Sequence, residues 1–127
     1  MRLNTLKKNK EFRFIHVRGN SFVTKNLVLL CVKRKSGGVR PGFSISKKIG
    51  GAVCRNRLRR QLKAAFCDIL KIYHVGNYGL IFIARQNITR VTYQDIAKDM
   101  LFLMRKATIL GEKLNHEEVI FVDHQVL

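Results

Sequence analysis

The first periodic segment of the chain is Lys10-Glu11-Phe12-Arg13-Phe14-Ile15-His16-Val17, in which Phe12, Ile15 and His16 recur at i, i+3 and i+4. That spacing predicts a short helix from Asn9, ended by Gly19, with Phe12 and His16 on one face. Leu27-Val28-Leu29-Leu30-Cys31-Val32 is an unbroken apolar run with β-branched members, the pattern of a strand covered on both faces. After the turn Ser36-Gly37-Gly38, residues 39–46 alternate apolar and polar, as a half-buried strand does, and Pro41 marks an edge or a strand start. The two runs are expected to form a hairpin, with Phe22-Val23 in an earlier strand.

Further on, Leu58, Leu62, Phe66 and Ile69 recur at spacings of 4, 4 and 3, which predicts a helix. At 100° per residue they fall within an arc of about 80°, and Arg57, Arg59, Arg60 and Lys63 spread over the other side. Tyr78 to Ala84 reads as a second buried strand. Thr92-x-x-Asp95 resembles a capping box, opening a last helix with Ile96, Met100, Leu103, Met104 and Ala107 on its core stripe. Asp95 and Asp99 are expected to cap and solvate that helix. The order is therefore α-β-β-β-α-β-α. Val119-Ile120-Phe121-Val122 is open between an added edge strand and an ordered tail. No repeat, low-complexity tract or Pro/Ser-rich linker interrupts the chain, so a single domain is expected.

Charge changes this picture from a fold to a partner. The net charge is +17, and it is not spread evenly: residues 1–63 hold 18 Lys and Arg against the single acid Glu11, whereas residues 64–127 hold seven of each sign. Self-repulsion on that scale opposes folding of the free protein, and a polyanion relieves it. Nucleic acid is the leading candidate and an anionic membrane the weaker one. The hydrophobic share of 46% is that of a folded domain and excludes a disordered basic tail.

The cations concentrate in Arg55-Asn56-Arg57-Leu58-Arg59-Arg60 and Lys63, preceded by Lys47, Lys48 and Gly50-Gly51. A solvated charged face is the ordinary reading of such a helix. From Arg55 to Cys67, however, there is no Asp or Glu, so i,i+4 pairing cannot account for the cations. Arginine suits bidentate phosphate contacts, and a helix start adds unpaired N–H groups.

Protein-borne catalysis finds little support. His16, His74, His116 and His124 are scattered, and no D-x-D or H-x-x-x-H spacing occurs. Cys31, Cys54 and Cys67 form no C-x-x-C pair and read as reduced, buried thiols. The N-terminus is charged without an apolar core behind it, and no run is long enough to span a bilayer, so a cytoplasmic protein is expected.

The stretch Gly42-Phe-Ser-Ile-Ser-Lys-Lys-Ile-Gly-Gly-Ala-Val-Cys-Arg-Asn-Arg-Leu-Arg-Arg60 resembles the signature of the bacterial ribonuclease P protein component. Leu6-Lys-Lys-Asn-Lys-Glu-Phe12 with Arg18-Gly19, and Tyr78-x-Leu-Ile-Phe-Ile-Ala-Arg85 followed by Thr92-Tyr93, extend the resemblance over residues 3–107. It implies an α/β fold, an α+β two-layer sandwich around a single mixed central sheet with a left-handed β-α-β crossover. Residues 1–107 would form the RNA-binding domain, and 108–127 an unassigned C-terminal extension.

The implied role is that of a non-catalytic subunit. A catalytic RNA removes the 5′ leader of precursor tRNA by hydrolysis that depends on Mg²⁺, held mainly by the RNA. Lys47, Lys48, Arg55, Asn56, Arg57, Arg59, Arg60 and Lys63 would face that RNA. Phe12, His16, Leu30 and Asn56 would form the leader cleft, with His16 and Leu30 standing where the family commonly has aromatics. Precursor tRNA is then the second partner, and neither DNA nor a membrane is expected. A structural ribosomal RNA-binding protein is the alternative.

Overall fold

Two strands carry apolar residues on both faces, and they occupy the centre of the main sheet. In a computed structural model, which describes residues 3–114, these are β2 (Leu27–Lys33) and β5 (Tyr78–Ala84). The remaining elements are α1 (Asn9–Arg18), β1 (Asn20–Val23), β3 (Arg40–Ser44), α2 (Ala52–Ile72), β4 (Tyr73–Val75), α3 (Tyr93–Lys106) and β6 (Leu110–Lys113). The sheet order is β1-β2-β5-β3, antiparallel except for the parallel pair β3–β5, so the sheet is mixed as expected.

The expected hairpin between the second and third strands does not form. β5 inserts between them, pairing antiparallel with β2 and parallel with β3. The physical reason is burial: β5 is apolar on both faces and must be flanked, whereas Pro41 lacks an N–H and suits the edge that β3 occupies. Gly37 and Gly38, at φ +91° and +73°, turn the chain out of β2, and α2 makes the crossover from β3 to β5.

Strand alternation divides the apolar residues into two cores. Leu27, Leu29, Cys31, Phe43, Leu80 and Phe82 point toward α2 and α3, where Leu58, Leu62, Phe66, Ile96, Met100 and Leu103 meet them. Phe82 has ring centroids 5.7 Å from Phe66 and 6.0 Å from Phe43, aromatic contacts each worth about 0.5–1.5 kcal/mol beyond area burial. On the opposite face Leu30 and Ile81 form a smaller core with Leu6 and Ile15 of the N-terminal segment and α1. Gly79 permits this approach, since a Cβ there would lie 3.0 Å from Ile15 Cδ1.

The capping box of α3 is present: Thr92 Oγ1 accepts from the Asp95 N–H at 3.2 Å, and Asp95 Oδ2 accepts from the Thr92 N–H at 3.2 Å. Asp99 is not a solvating residue. Its Oδ2 accepts from Thr24 Oγ1 at 3.0 Å and from Nδ2 of buried Asn26 at 2.8 Å, which fastens the β1–β2 turn to α3. Of the cysteines only Cys31 is buried; Cys54 and Cys67 are half-buried. β4 and β6 pair as a separate two-stranded sheet that the sequence pattern did not show, so ordered backbone continues past residue 107. Val119–Val122 lies outside the described residues.

Candidate nucleic-acid interface

α2 begins at Gly51 without a side-chain cap and without an acid in its first turn, so its leading N–H groups have no intrahelical partner. The preceding 3₁₀ turn, Lys47–Ile49, is fixed by Ser46, whose hydroxyl accepts from the Lys48 N–H at 3.0 Å, and it leaves Lys47 and Lys48 exposed. Leu58, Leu62, Ala65, Phe66 and Ile69 bury the inner face of α2. Asn56, Arg57, Arg60 and Lys63 are exposed on the outer face. Among the described residues none of the cations from Arg55 to Lys63 pairs with a carboxylate.

Two of the arginines differ from that outward set. Arg55 lies toward the packed side of the wheel, half-buried, and its Nε donates to the Gly50 carbonyl at 3.1 Å. It therefore tethers the helix start in addition to carrying charge. Arg59 is also half-buried, and its Nη1 donates to Asn56 Oδ1 at 3.1 Å.

A groove of about 140 Å³ joins this helix to the first one, lined by Thr5, Leu6, Phe12, Gly42, Phe43, Arg59 and Lys63. The Phe12 ring lies directly over Gly42: a Cβ at residue 42 would sit 2.7 Å from Phe12 Cε1 and Cζ. The fold thus brings Phe12, Arg59 and Lys63 together; Asn56, expected in the same cleft, does not line the groove and is linked to it by its bond to Arg59. His16, exposed, lies one turn further along the same flank of α1.

Leu30 departs from expectation. It is only 8% exposed, packed in the small core with Leu6, Ile15 and Ile81, so it supports the groove from beneath and offers no surface. Partly exposed residues on that sheet face include Val28 and Val32, two positions to either side of Leu30, with Ile83 and Ser44 beside Val28 across the register. Period-2 alternation from Leu30 would have pointed to Val28.

The pattern also passed over Arg40. Its Nη1 donates to Glu11 Oε2 at 2.6 Å, and its Nη2 donates to the Thr5 carbonyl at 3.0 Å. Glu11 Oε1 meanwhile accepts from the Lys8 N–H at 3.1 Å. Partial burial pushes the Glu11 carboxyl up, but the Lys8 and Lys7 N–H groups and the Arg40 charge outweigh it and hold it below its ordinary value. The only acid of the first 63 residues is thereby neutralised inside the protein.

Residues 1–108 match the family model described as Ribonuclease P. The ribonuclease P protein component of Clostridium botulinum is 38% identical over 109 residues, covering 86% of this chain and 98% of that one. Its counterpart in Clostridioides difficile is 38% identical over 108 residues, covering 85% and 95%. The solved RNase P protein of Staphylococcus aureus superposes with a TM-score of 0.78 at 28% identity, over 87% of this chain and 100% of that chain. That of Thermotoga maritima, at 24% identity and a TM-score of 0.71, shares the fold. Matched along almost all of the cationic α+β body described above, the chain belongs to the bacterial ribonuclease P protein family, whose members are the protein subunit of an endoribonuclease of tRNA processing.

Proposed function

We propose that the two surfaces divide the RNA between them. The outer face of α2, with Asn56, Arg57, Arg60, Lys47 and Lys48, seats the catalytic RNA through its phosphates, and Lys63 stands where that face meets the groove. The groove from Phe12 to Arg59 carries the single-stranded 5′ leader of precursor tRNA. The observation that carries this reading is the meeting of an aromatic ring, an apolar floor and two carboxylate-free cations in one groove, the combination that stacks a base and follows a backbone.

The hydrolysis belongs to the RNA, which also holds the Mg²⁺ it requires. The protein screens repulsion between two polyanions and fixes the leader's path, a contribution to binding and positioning. Its place of action is the cytoplasm.

The test compares precursor with mature tRNA, bound to the catalytic RNA with and without the protein. Precursor should be favoured only when the protein is present. Equal discrimination by the RNA alone overturns the reading. Phe12→Ala should weaken precursor by about tenfold, within the range for one lost stacked base, and leave mature tRNA unaffected.

A further inference from the structure

α1 packs on the sheet face that carries Leu30 and Ile81, and it separates two concave surfaces. Phe12 and His16 border the groove on one flank. The other flank opens on a larger cavity, about 520 Å³, to which α1 contributes Lys10, Glu11, Phe14 and Ile15, and the end of β2 with its following turn contributes residues 32–36. Gly79 and Leu6 complete its floor. Nothing in the proposed division of the RNA uses this cavity.

Its chemistry is specific in three respects. The floor is apolar, built from Leu6, Ile15, Val32 and Gly79, and Phe14 stands beside it 55% exposed among the described residues, a high figure for a phenylalanine. The rim is cationic: Lys10, Lys33 and Lys35 are exposed and none pairs with a carboxylate among the described residues. The one acid in the wall, Glu11, is bonded to Arg40 and so does not oppose an anion.

The rim is also held in place before any ligand arrives. Asn77, in the turn before β5, accepts the Gly38 N–H on its Oδ1 at 2.7 Å and the Arg34 N–H on its carbonyl at 2.8 Å. Arg34 Nη1 in turn donates to the Gly38 carbonyl at 3.0 Å. The β2–β3 turn is thus clamped at both ends, which lowers the ordering cost of binding.

We propose that this cavity receives an unpaired nucleotide of the catalytic RNA, its base against Phe14 and the apolar floor and its flanking phosphates on Lys10, Lys33 and Lys35. An exposed aromatic with unpaired cations fits a base joined to phosphates, and a cavity of this volume accommodates one. The catalytic RNA is favoured over the leader by position, because a leader lying along Phe12 would have to cross α1 to reach Phe14. The inference rests on the proposed function in two respects: that the chain is the catalytic RNA's protein partner, and that the leader lies along Phe12.

The experiment is equilibrium assembly of the full chain with the catalytic RNA, for wild type, Phe14→Ala and Lys33→Gln/Lys35→Gln, followed by precursor and mature tRNA binding to each holoenzyme. Phe14→Ala should weaken assembly by about tenfold, within the range for one lost stacked base, and the double lysine variant should lower the slope of log affinity against log salt by roughly 0.7 per lysine. The ratio of precursor to mature affinity should stay at its wild-type value. Unchanged assembly in both variants overturns the proposal. So does a defect confined to precursor, which would make the occupant the leader, or full displacement by adenosine monophosphate without loss of assembly, which would make it a free nucleotide. Phe14 is outside both cores, and should its truncation lower the melting temperature, the lysine variant, whose side chains are exposed, decides the matter alone.

Discussion

Glu11 and Arg40 form a 2.6 Å ion pair between α1 and the first residue of β3, and this pair joins the N-terminal helix to the edge of the sheet. Because the carboxyl is held below its ordinary value in the folded protein, its contribution is present above the unfolded carboxylate range and is lost as pH falls through the lowered folded value. Melting temperature should therefore decline on acidification below the usual carboxylate range. Glu11→Gln should melt lower near neutrality and show a shallower acid limb; identical limbs would contradict the assignment.

Gly42→Ala places a methyl group against the Phe12 ring. The strand backbone cannot yield readily, so Phe12 and Leu6 must move, and destabilisation of about 1–3 kcal/mol is expected. The same substitution made on top of Phe12→Ala should cost less. A double-mutant cycle by denaturant unfolding measures the difference, and strict additivity would show that the two do not meet.

The arginines of α2 should separate into two classes. Arg57→Ala/Arg60→Ala removes exposed charge, so assembly with the catalytic RNA should weaken and lose part of its salt dependence while the melting temperature holds. Arg55→Ala also removes a hydrogen bond to the Gly50 carbonyl, and should lower stability by about 0.5–1.5 kcal/mol. Parallel melting and assembly measurements distinguish them.

Asp99→Ala leaves Nδ2 of buried Asn26 without its acceptor and Thr24 Oγ1 with only the Leu27 carbonyl at 3.3 Å. A loss of about 1–3 kcal/mol is expected, with assembly unaffected once the protein is folded, since the residue is remote from α2's outer face.

Burial pushes the Cys31 thiol up to about 11, so near neutrality it is almost entirely protonated. A thiol reagent should label Cys54 and Cys67 first and reach Cys31 only on unfolding. Rapid labelling of Cys31 in the native protein would indicate that β2 opens.

What the sequence revealed follows from the range of each signal. The outer face of α2 was legible because helical periodicity and missing acids are local properties, and so was the Thr92–Asp95 cap. Strand order was not. Gly37 and Gly38 announce a turn, but which strand lies beside β2 is settled by β5, about fifty positions further along, seeking cover on both edges. β4 and β6 are three and four residues long, too short and too polar to carry a period. Leu30 was assigned to the leader cleft through the family resemblance alone, whereas its unbroken apolar run had already marked it as covered on both faces, as it is beneath α1; Arg40 was overlooked because its partner Glu11 stands 29 positions earlier.

The connection from β3 to α2 is short and stiff, a 3₁₀ turn capped by Ser46 and a helix start tied by Arg55. Gly42 beneath Phe12 and the exposed arginines therefore sit on a single strut. If the two surfaces divide the RNA as proposed, the one that holds the enzyme's RNA and the one that grips the substrate strand do not shift independently, and the distance between them acts as a built-in gauge. On the proposed reading, that fixed distance sets where along a precursor the cut falls.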